Sequence, residues 1–234
     1  PYGSPESLEV IDKIYSTIRD NTYRASVEIA VEKGPFPKFK KDYLKGEFIK
    51  QLPQDIRDDI GLFGIRNAVL LTQAPTGTTS MLAGVSSGIE PVYEFVYQRK
   101  DRLGTHLVVH PLLEEYRVRV GDPNSKPDWF VSANDLTPDE HVQVQALIQK
   151  YTDSSISKTV NAPTHHTVEQ VMKLYMDAYD LGCKGVTYFR DGCREGVLSR
   201  VEDTKSPEAC PDCQSPLVKE EGCTKCYSCG FSYC

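Results

Sequence analysis

No run of about 18 apolar residues occurs in the 234-residue chain, so the sequence offers no candidate for a membrane-spanning helix. No charged-then-apolar leader opens it either, and the expectation is a cytoplasmic protein. Charge of one sign is not in large excess. Lys and Arg number 27 against 33 Asp and Glu, and the net charge of −6 argues against a broad basic footprint for a nucleic acid polymer. Long internal repeats and low-complexity tracts are missing. Cysteine is scarce in the body of the chain: of eight, only Cys183 and Cys193 precede residue 210. Thiols without a secretory leader point to a reducing compartment, where they bind metal or carry electrons rather than staple a fold. The first residue is Pro1, not Met, and the chain is read as a fragment or one part of a split protein. What remains is ordinary globular material, 39% hydrophobic and 26% charged, long enough for one domain with an appendage.

Periodicity and punctuation give an alternation of helices and strands, hence an α/β layout. Residues 4–33 read as one amphipathic helix, with Ser4 as N-cap, Pro5 at its first position, and Leu8, Ile11, Ile14, Tyr15, Ile18 and Ile29 largely on one face. A shorter helix is expected over 53–60. Asn67–Thr72 reads as a buried strand, and 92–98, 107–109, 155–160 and 185–189 as further strands. Thr137-Pro-Asp-Glu140 is a capping box that starts a helix running through Tyr151. Thr167 caps another through Asp180, with Val168, Val171, Met172, Tyr175 and Tyr179 on one stripe. The stretch 121–135 is a loop. Residues 199–209 are charged, contain Pro207 and read as a linker. The expected organisation is therefore a body over 1–198, the linker, and a cysteine-rich module over 210–234.

Between the expected strand and a helix beginning near Ser80 lies Ala74-Pro-Thr-Gly-Thr-Thr-Ser80. Amides at a helix start, with the positive end of its dipole, bind phosphate. Gly77 lets a ligand approach the backbone, and the hydroxyls of Thr76, Thr78, Thr79 and Ser80 add donors. The lysine of a nucleoside-triphosphatase P-loop is missing. The plain alternative is a capped turn, for which Thr and Ser are common.

Six cysteines fall in the last 25 residues: Cys210-Pro-Asp-Cys213, Cys223, Cys226-Tyr-Ser-Cys229 and Cys234. Two Cys-x-x-Cys pairs 12 residues apart have zinc-ribbon spacing. A tetrahedral metal takes four thiolates, and the two left over suit electron transfer. One allocation puts zinc on Cys210, Cys213, Cys226 and Cys229, with Cys223 and Cys234 as electron carriers; Gly230 then follows the second knuckle. The rival puts zinc on Cys210, Cys213, Cys223 and Cys226, leaving Cys229 and Cys234 as a terminal redox pair.

Gly64-Ile-Arg-Asn67, the 74–80 loop, Ser86-Ser-Gly-Ile-Glu-Pro91, Asp153-Ser-Ser-Ile-Ser-Lys-Thr-Val-Asn161 and Gly182-Cys-Lys-Gly-Val-Thr-Tyr-Phe-Arg-Asp-Gly192 follow one another in an order that resembles the catalytic chain of ribonucleotide reductases. The last two motifs look like the class II, adenosylcobalamin-dependent branch, and the cysteine tail is similar to the module many of those enzymes carry at their C-terminus. The resemblance covers nearly the whole chain and only the C-terminal part of such a reductase. It implies part of a ten-stranded α/β barrel followed by a small zinc ribbon. It assigns the phosphates of a ribonucleoside di- or triphosphate to Pro75, Thr76, Gly77, Thr78 and Thr79. It further implies a thiyl radical on a cysteine in an Asn-Pro-Cys-Gly-Glu-like segment. This chain has no such segment, so the radical cysteine, the reductive cysteine pair and most of the cobalamin surface are expected on a missing N-terminal portion. The chain by itself is expected to be inactive. The tail would then carry electrons from a thioredoxin-like reductant to the barrel disulfide.

Two rival readings are a non-catalytic zinc-ribbon binding module and a truncated remnant. Cys193 and Phe189 depart from the Ser and Tyr that relatives tend to have there. His165 and His166 read as a solvated loop pair, while His106, His110 and His141 read as surface or satisfied histidines. Arg99, Lys100 and Arg102 read as a solvated basic cluster, and Tyr188 and Phe189 as core.

Overall fold

The computed structural model describes residues 1–101, 104–193, 198–200, 218–220, 223–225 and 229–233. Helix α1 runs Pro5–Lys33, and Ser4 caps it as its sequence requires, the Oγ accepting from Ser7 N at 3.2 Å. The chain leaves the helix at Gly34, whose φ of 78° is the left-handed exit typical of glycine. The apolar face of α1 is divided. Leu8, Ile11 and Tyr15 pack on a cluster of Ile89, Val144, Ile148 and Ile156, while Tyr23 and Val27 enter a second cluster with Ile49, Leu52, Ile56, Ile60 and Ile65. Ile14, Ile18 and Ile29, expected on the packed face, are exposed instead.

Two short 3-10 turns, Lys41–Lys45 and Ile49–Gln51, lead into helix α2 over Gln54–Phe63. Gly64 ends it at φ 78°, and a Cβ there would lie 2.7 Å from Pro35 Cβ, so no other residue fits without movement. Helix α3 is one short segment, Gly77–Ala83. Helix α4, Pro111–Val120, falls where the sequence reading gave no element. Helix α5, Pro138–Gln149, opens with both halves of the Thr137–Glu140 capping box formed. No described helix is long and apolar enough to cross a membrane.

The chain divides into two units. In the first, residues 1–95 and 111–195, strand β3 (Thr159–Ala162) pairs in parallel with β4 (Thr187–Arg190) through helix α6 (Val168–Asp180). This is a βαβ unit with Val160 and Ala162 turned into the core and the alternating Thr159 and Asn161 only half-buried. The α6 stripe is a correction: Leu174 and Ala178 are the buried residues, and Val168, Met172, Tyr175 and Tyr179 are exposed. Asn67–Thr72 is another. It is largely exposed and forms no ladder strand; the adjoining Gln73 makes a single parallel bridge to Ile156. Residues 70–73 nonetheless run alongside 153–157, with Ser154 N donating to Leu71 O, Gln73 N to Ser155 O and Ser157 N to Gln73 O at 2.9–3.3 Å. The α/β layout stands, and no sheet among the described residues closes into a barrel.

The second unit comprises residues 96–110 and 196–234. Strands β1 (Val96–Asp101) and β2 (Gly104–Val109) form an antiparallel hairpin, and β5 (Leu198–Arg200) adds to β1. β5 occupies the junction where the sequence reading changes from body to linker, and 201–209 lies outside the described residues. A separate antiparallel meander is built from β6 (Val218–Glu220), β7 (Cys223–Lys225) and β8 (Ser232–Tyr233).

Candidate functional site

Residues 74–79 are all exposed, so the loop read as a phosphate site lies open rather than sealed. Thr76 has φ 51°, the described chain's one non-glycine residue in the left-handed region. A β-branched residue is held there only where surrounding structure over-determines it, a pattern typical of ligand-binding turns. Ser80 N is the first amide to donate back, to Thr76 O at 2.9 Å. Helix geometry leaves the preceding amides, of Gly77, Thr78 and Thr79, without intrahelical acceptors. Around the Gly77 Cα there is open space to 4 Å on its Cβ side. Pro75, Thr76, Gly77, Thr78 and Thr79 are therefore one contiguous turn. The hydroxyls are less uniform than the sequence suggests. Ser80 is buried with its Oγ donating to Gly77 O, and Thr79 Oγ1 donates to Thr76 O, so neither proton faces outward.

The turn is held from behind by the Ser86–Pro91 segment. Ser87 Oγ donates to Pro75 O, and Gly88, at φ 52°, passes so close that a Cβ would sit 2.9 Å from Ala74 O. Its entry is held by Asp153, whose carboxylate accepts from Leu70 N and Leu71 N at 2.8 Å and from Tyr23 Oη at 2.6 Å. Burial and that carboxylate push the Tyr23 phenol far above its usual range, so it stays a donor. Thr72 Oγ1 adds a bond to Ser155 O. The motifs 86–91 and 153–161, which composition alone cannot explain, thus brace the 74–80 turn. Sequence reasoning missed this, because Asp153 and its amide partners lie 82 and 83 positions apart.

The other candidate residues separate. Cys183 is half-buried against Val142, Val160 and Leu174, and burial pushes its thiol up, which makes it a packing residue. Cys193 is exposed in the turn after β4. His166 is not a solvated loop residue: it is buried, its Nδ1 meets Tyr188 Oη at 2.8 Å and the two rings stack at 5.7 Å. His141 is fully buried and satisfied. The side chains of Arg99, Lys100 and His106, and all of Arg102, lie outside the described residues.

In the tail, Cys229 is exposed in the turn before Gly230, whose φ is 83°, and Cys223 lies in β7 opposite Glu220. Cys210, Cys213, Cys226 and Cys234 fall outside the described residues, as does the Cys223 side chain. Among the described residues no three His, Cys, Asp or Glu side chains converge on a metal position.

Residues 1–189 match the family model of the ribonucleotide reductase barrel domain. A vitamin B12-dependent ribonucleoside-diphosphate reductase of Thermoplasma acidophilum is 34% identical across 89% of this chain and 28% of its own length. A namesake from Mycobacterium tuberculosis is 32% identical across 85% of this chain and 30% of its own. The alpha subunit of a Mycoplasma pneumoniae ribonucleoside-diphosphate reductase is 27% identical, with 91% and 33% covered. The chain thus spans a third or less of the length of these relatives. With the braced turn inside the matched region, the chain belongs to the ribonucleotide reductase family and carries part of its barrel domain.

Proposed function

We propose that this chain is the C-terminal part of the catalytic chain of an adenosylcobalamin-dependent reductase that converts ribonucleotides to 2′-deoxyribonucleotides by thiyl radical chemistry. Its own share of the work is to hold the substrate's phosphates and to deliver thiols. The observation that carries the reading is the open 74–79 turn, with amides ahead of the first helical donor and a strained Thr76, within a match to the reductase barrel domain. Amide donors bind the anionic end of a nucleotide without reading its base, which suits an enzyme that accepts several ribonucleotides. The relatives' names favour a ribonucleoside diphosphate over a triphosphate.

Those names also carry the cofactor to this chain as a proposal. Adenosylcobalamin, when bound, supplies the initiating radical, and its contacts are assigned to the upstream part of the ten-stranded barrel. The tail is read as a zinc ribbon on Cys210, Cys213, Cys226 and Cys229, with Cys223 and Cys234 as the shuttle. Cys229 in a turn before a left-handed Gly230, against Cys223 in a strand, supports this allocation over the one that frees Cys229. In the shuttle step, the two thiols give two electrons and two protons to the barrel disulfide and become a disulfide themselves. A thioredoxin-like protein restores them by the same exchange, which fits a reducing cytoplasm.

The test is reconstitution. The chain is combined with the upstream portion of the reductase, adenosylcobalamin, dithiothreitol and a ribonucleoside diphosphate, and deoxyribonucleotide formation is measured. Product is expected, and a folded, cofactor-loaded complex that forms none overturns the reading.

A further inference from the structure

The turn is braced by more than the contacts already described. Glu90 lies in the backing segment, and its side chain is tied to the core. Glu90 Oε1 accepts from Thr159 N at 2.6 Å, and Oε2 faces Lys158 Nζ at 3.4 Å. Lys158 is fully buried along its side chain, an unusual place for an ammonium. Its surroundings account for every proton. An ammonium has three donors and no acceptor. Here they meet Glu90 Oε2 at 3.4 Å, Thr159 O at 2.9 Å and His141 Nδ1 at 2.7 Å.

The histidine's role follows from its other nitrogen. His141 Nε2 lies 2.9 Å from Ala133 O, and a carbonyl only accepts, so Nε2 carries the hydrogen and Nδ1 presents its lone pair. Burial and the adjacent Lys158 charge hold the imidazole down to about 4, which keeps it neutral and an acceptor. Burial also pulls Lys158 down, and Glu90 opposes that pull. Among the described residues Glu90 is thus the one charged partner of a buried cation whose remaining contacts are fixed by α5 and β3.

We propose that Lys158 is a positioning residue for the phosphate turn: through Glu90 it fixes the Ser86–Glu90 segment, whose Ser87 hydroxyl and Gly88 backbone set the carbonyls of Ala74 and Pro75 and hence the Thr76–Thr79 amides. The inference rests on the reading that this turn binds substrate phosphates. It explains the strain at Thr76, since a left-handed β-branched residue persists only where both flanks are held. Asp153 holds the entry flank, and Lys158, five residues later in the same motif, holds the backing flank. Among the described residues the Lys158 ammonium meets Glu90, Thr159 and His141 and not the 74–79 turn, so its effect on the turn travels through Glu90.

The experiment uses the reconstituted reductase and three variants: Lys158→Met, Glu90→Gln and the double variant. Met keeps the length of the buried stem. Gln keeps an oxygen for Thr159 N on a partly exposed side chain, so it folds even if the lysine variant does not. KM and kcat for a ribonucleoside diphosphate are measured, with inorganic pyrophosphate as a competing probe of the turn. Each single variant is expected to raise KM and the pyrophosphate inhibition constant about tenfold with kcat within about twofold, the signature of lost ground-state binding. The double variant is expected to be no worse than Lys158→Met, because the Lys158–Glu90 contact that Glu90→Gln weakens is already lost in Lys158→Met. Folded variants with unchanged KM and inhibition constant overturn the positioning role, as does a penalty in kcat alone or additive penalties in the double variant. If pyrophosphate fails to compete with substrate even in the unaltered enzyme, the phosphate reading itself fails and the positioning role goes with it.

Discussion

Two residues that look unremarkable in the sequence set the conditions for the rest. His141 is buried neutral with its pKa near 4, between Lys158 on one nitrogen and Ala133 O on the other, with Glu90 and Glu140 as the nearby carboxylates. Unfolded, it titrates near 6.5, so the unfolded chain binds more protons between the two values. Its contribution is complete above about pH 6.5 and is lost as the pH falls towards about 4, with a total of about 3 kcal/mol. Urea unfolding from neutral to mildly acidic pH is expected to show this slope, and His141→Gln to flatten it. Asp153 is the second. Replacing it with Ala leaves Leu70 N, Leu71 N and the buried Tyr23 hydroxyl without an acceptor, at a cost of about 3 kcal/mol. A melting temperature unchanged by that substitution would contradict the clamp. The Asp153 clamp is not legible in the chain, because Asp153 and Tyr23 stand 130 positions apart, and the identity of the partners that satisfy His141, 8 and 17 positions away, is fixed only by the fold.

At the level of elements, what was legible is what neighbours along the chain decide. The Thr137–Glu140 capping box is formed as read, and Thr167 caps α6 as read, with Gln170 completing a second box that the sequence reading did not name. Thr167→Ala is expected to destabilise the fold by about 1 kcal/mol, measured by chemical denaturation. The ends of α1 were equally clear, because Ser4-Pro5 and Gly34 have local reasons to be there. Helix faces were less clear. The α6 stripe is apolar by composition, yet Leu174 and Ala178 are what the neighbouring elements cover. Asn67–Thr72 reads as a strand because it is apolar, but strand formation needs a partner ladder, and here the extended segment is anchored by a carboxylate and a single bridge. Helix α4 was missed because its two valines and two leucines are interleaved with charge at no clean helical period. Gly88 makes an element-level prediction of its own. Gly88→Ala, at φ 52° and against Ala74 O, is expected to displace the backing segment and weaken pyrophosphate competition in the reconstituted enzyme while leaving the caps intact.

For the molecule as a whole, large apolar side chains remain on the surface: Val10, Ile14 and Ile18 on α1, and Val168, Met172, Met176 and Tyr179 on α6. The chain also covers 28–33% of the length of the three relatives named above. The proposed thiol arm is testable at this scale. In the reconstituted enzyme, Cys234→Ser is expected to abolish turnover driven by thioredoxin and to spare turnover driven by dithiothreitol, a small reductant that the proposed shuttle does not need to relay. Equal loss with both reductants would instead assign Cys234 a role inside the fold. Alkylation of the zinc-loaded protein is expected to label Cys223 and Cys234 and to spare Cys229. Labelling of Cys229 in place of Cys223 would reverse the allocation.

The sequence by itself determined the caps of α1, α5 and α6, the α/β alternation, the Thr-Gly turn, the cysteine spacing and the family, because each depends on residues a few positions apart or on motifs in a fixed order. Only the tertiary structure decided which polar groups meet. Asp153 with Leu70 and Leu71, Lys158 with Glu90 and His141, and Ser87 with Pro75 are contacts between distant parts of the chain. Burial, too, is a property of what packs alongside a residue, and so the outward face of α6 and the inward seat of His166 belong to the fold and not to the string of letters.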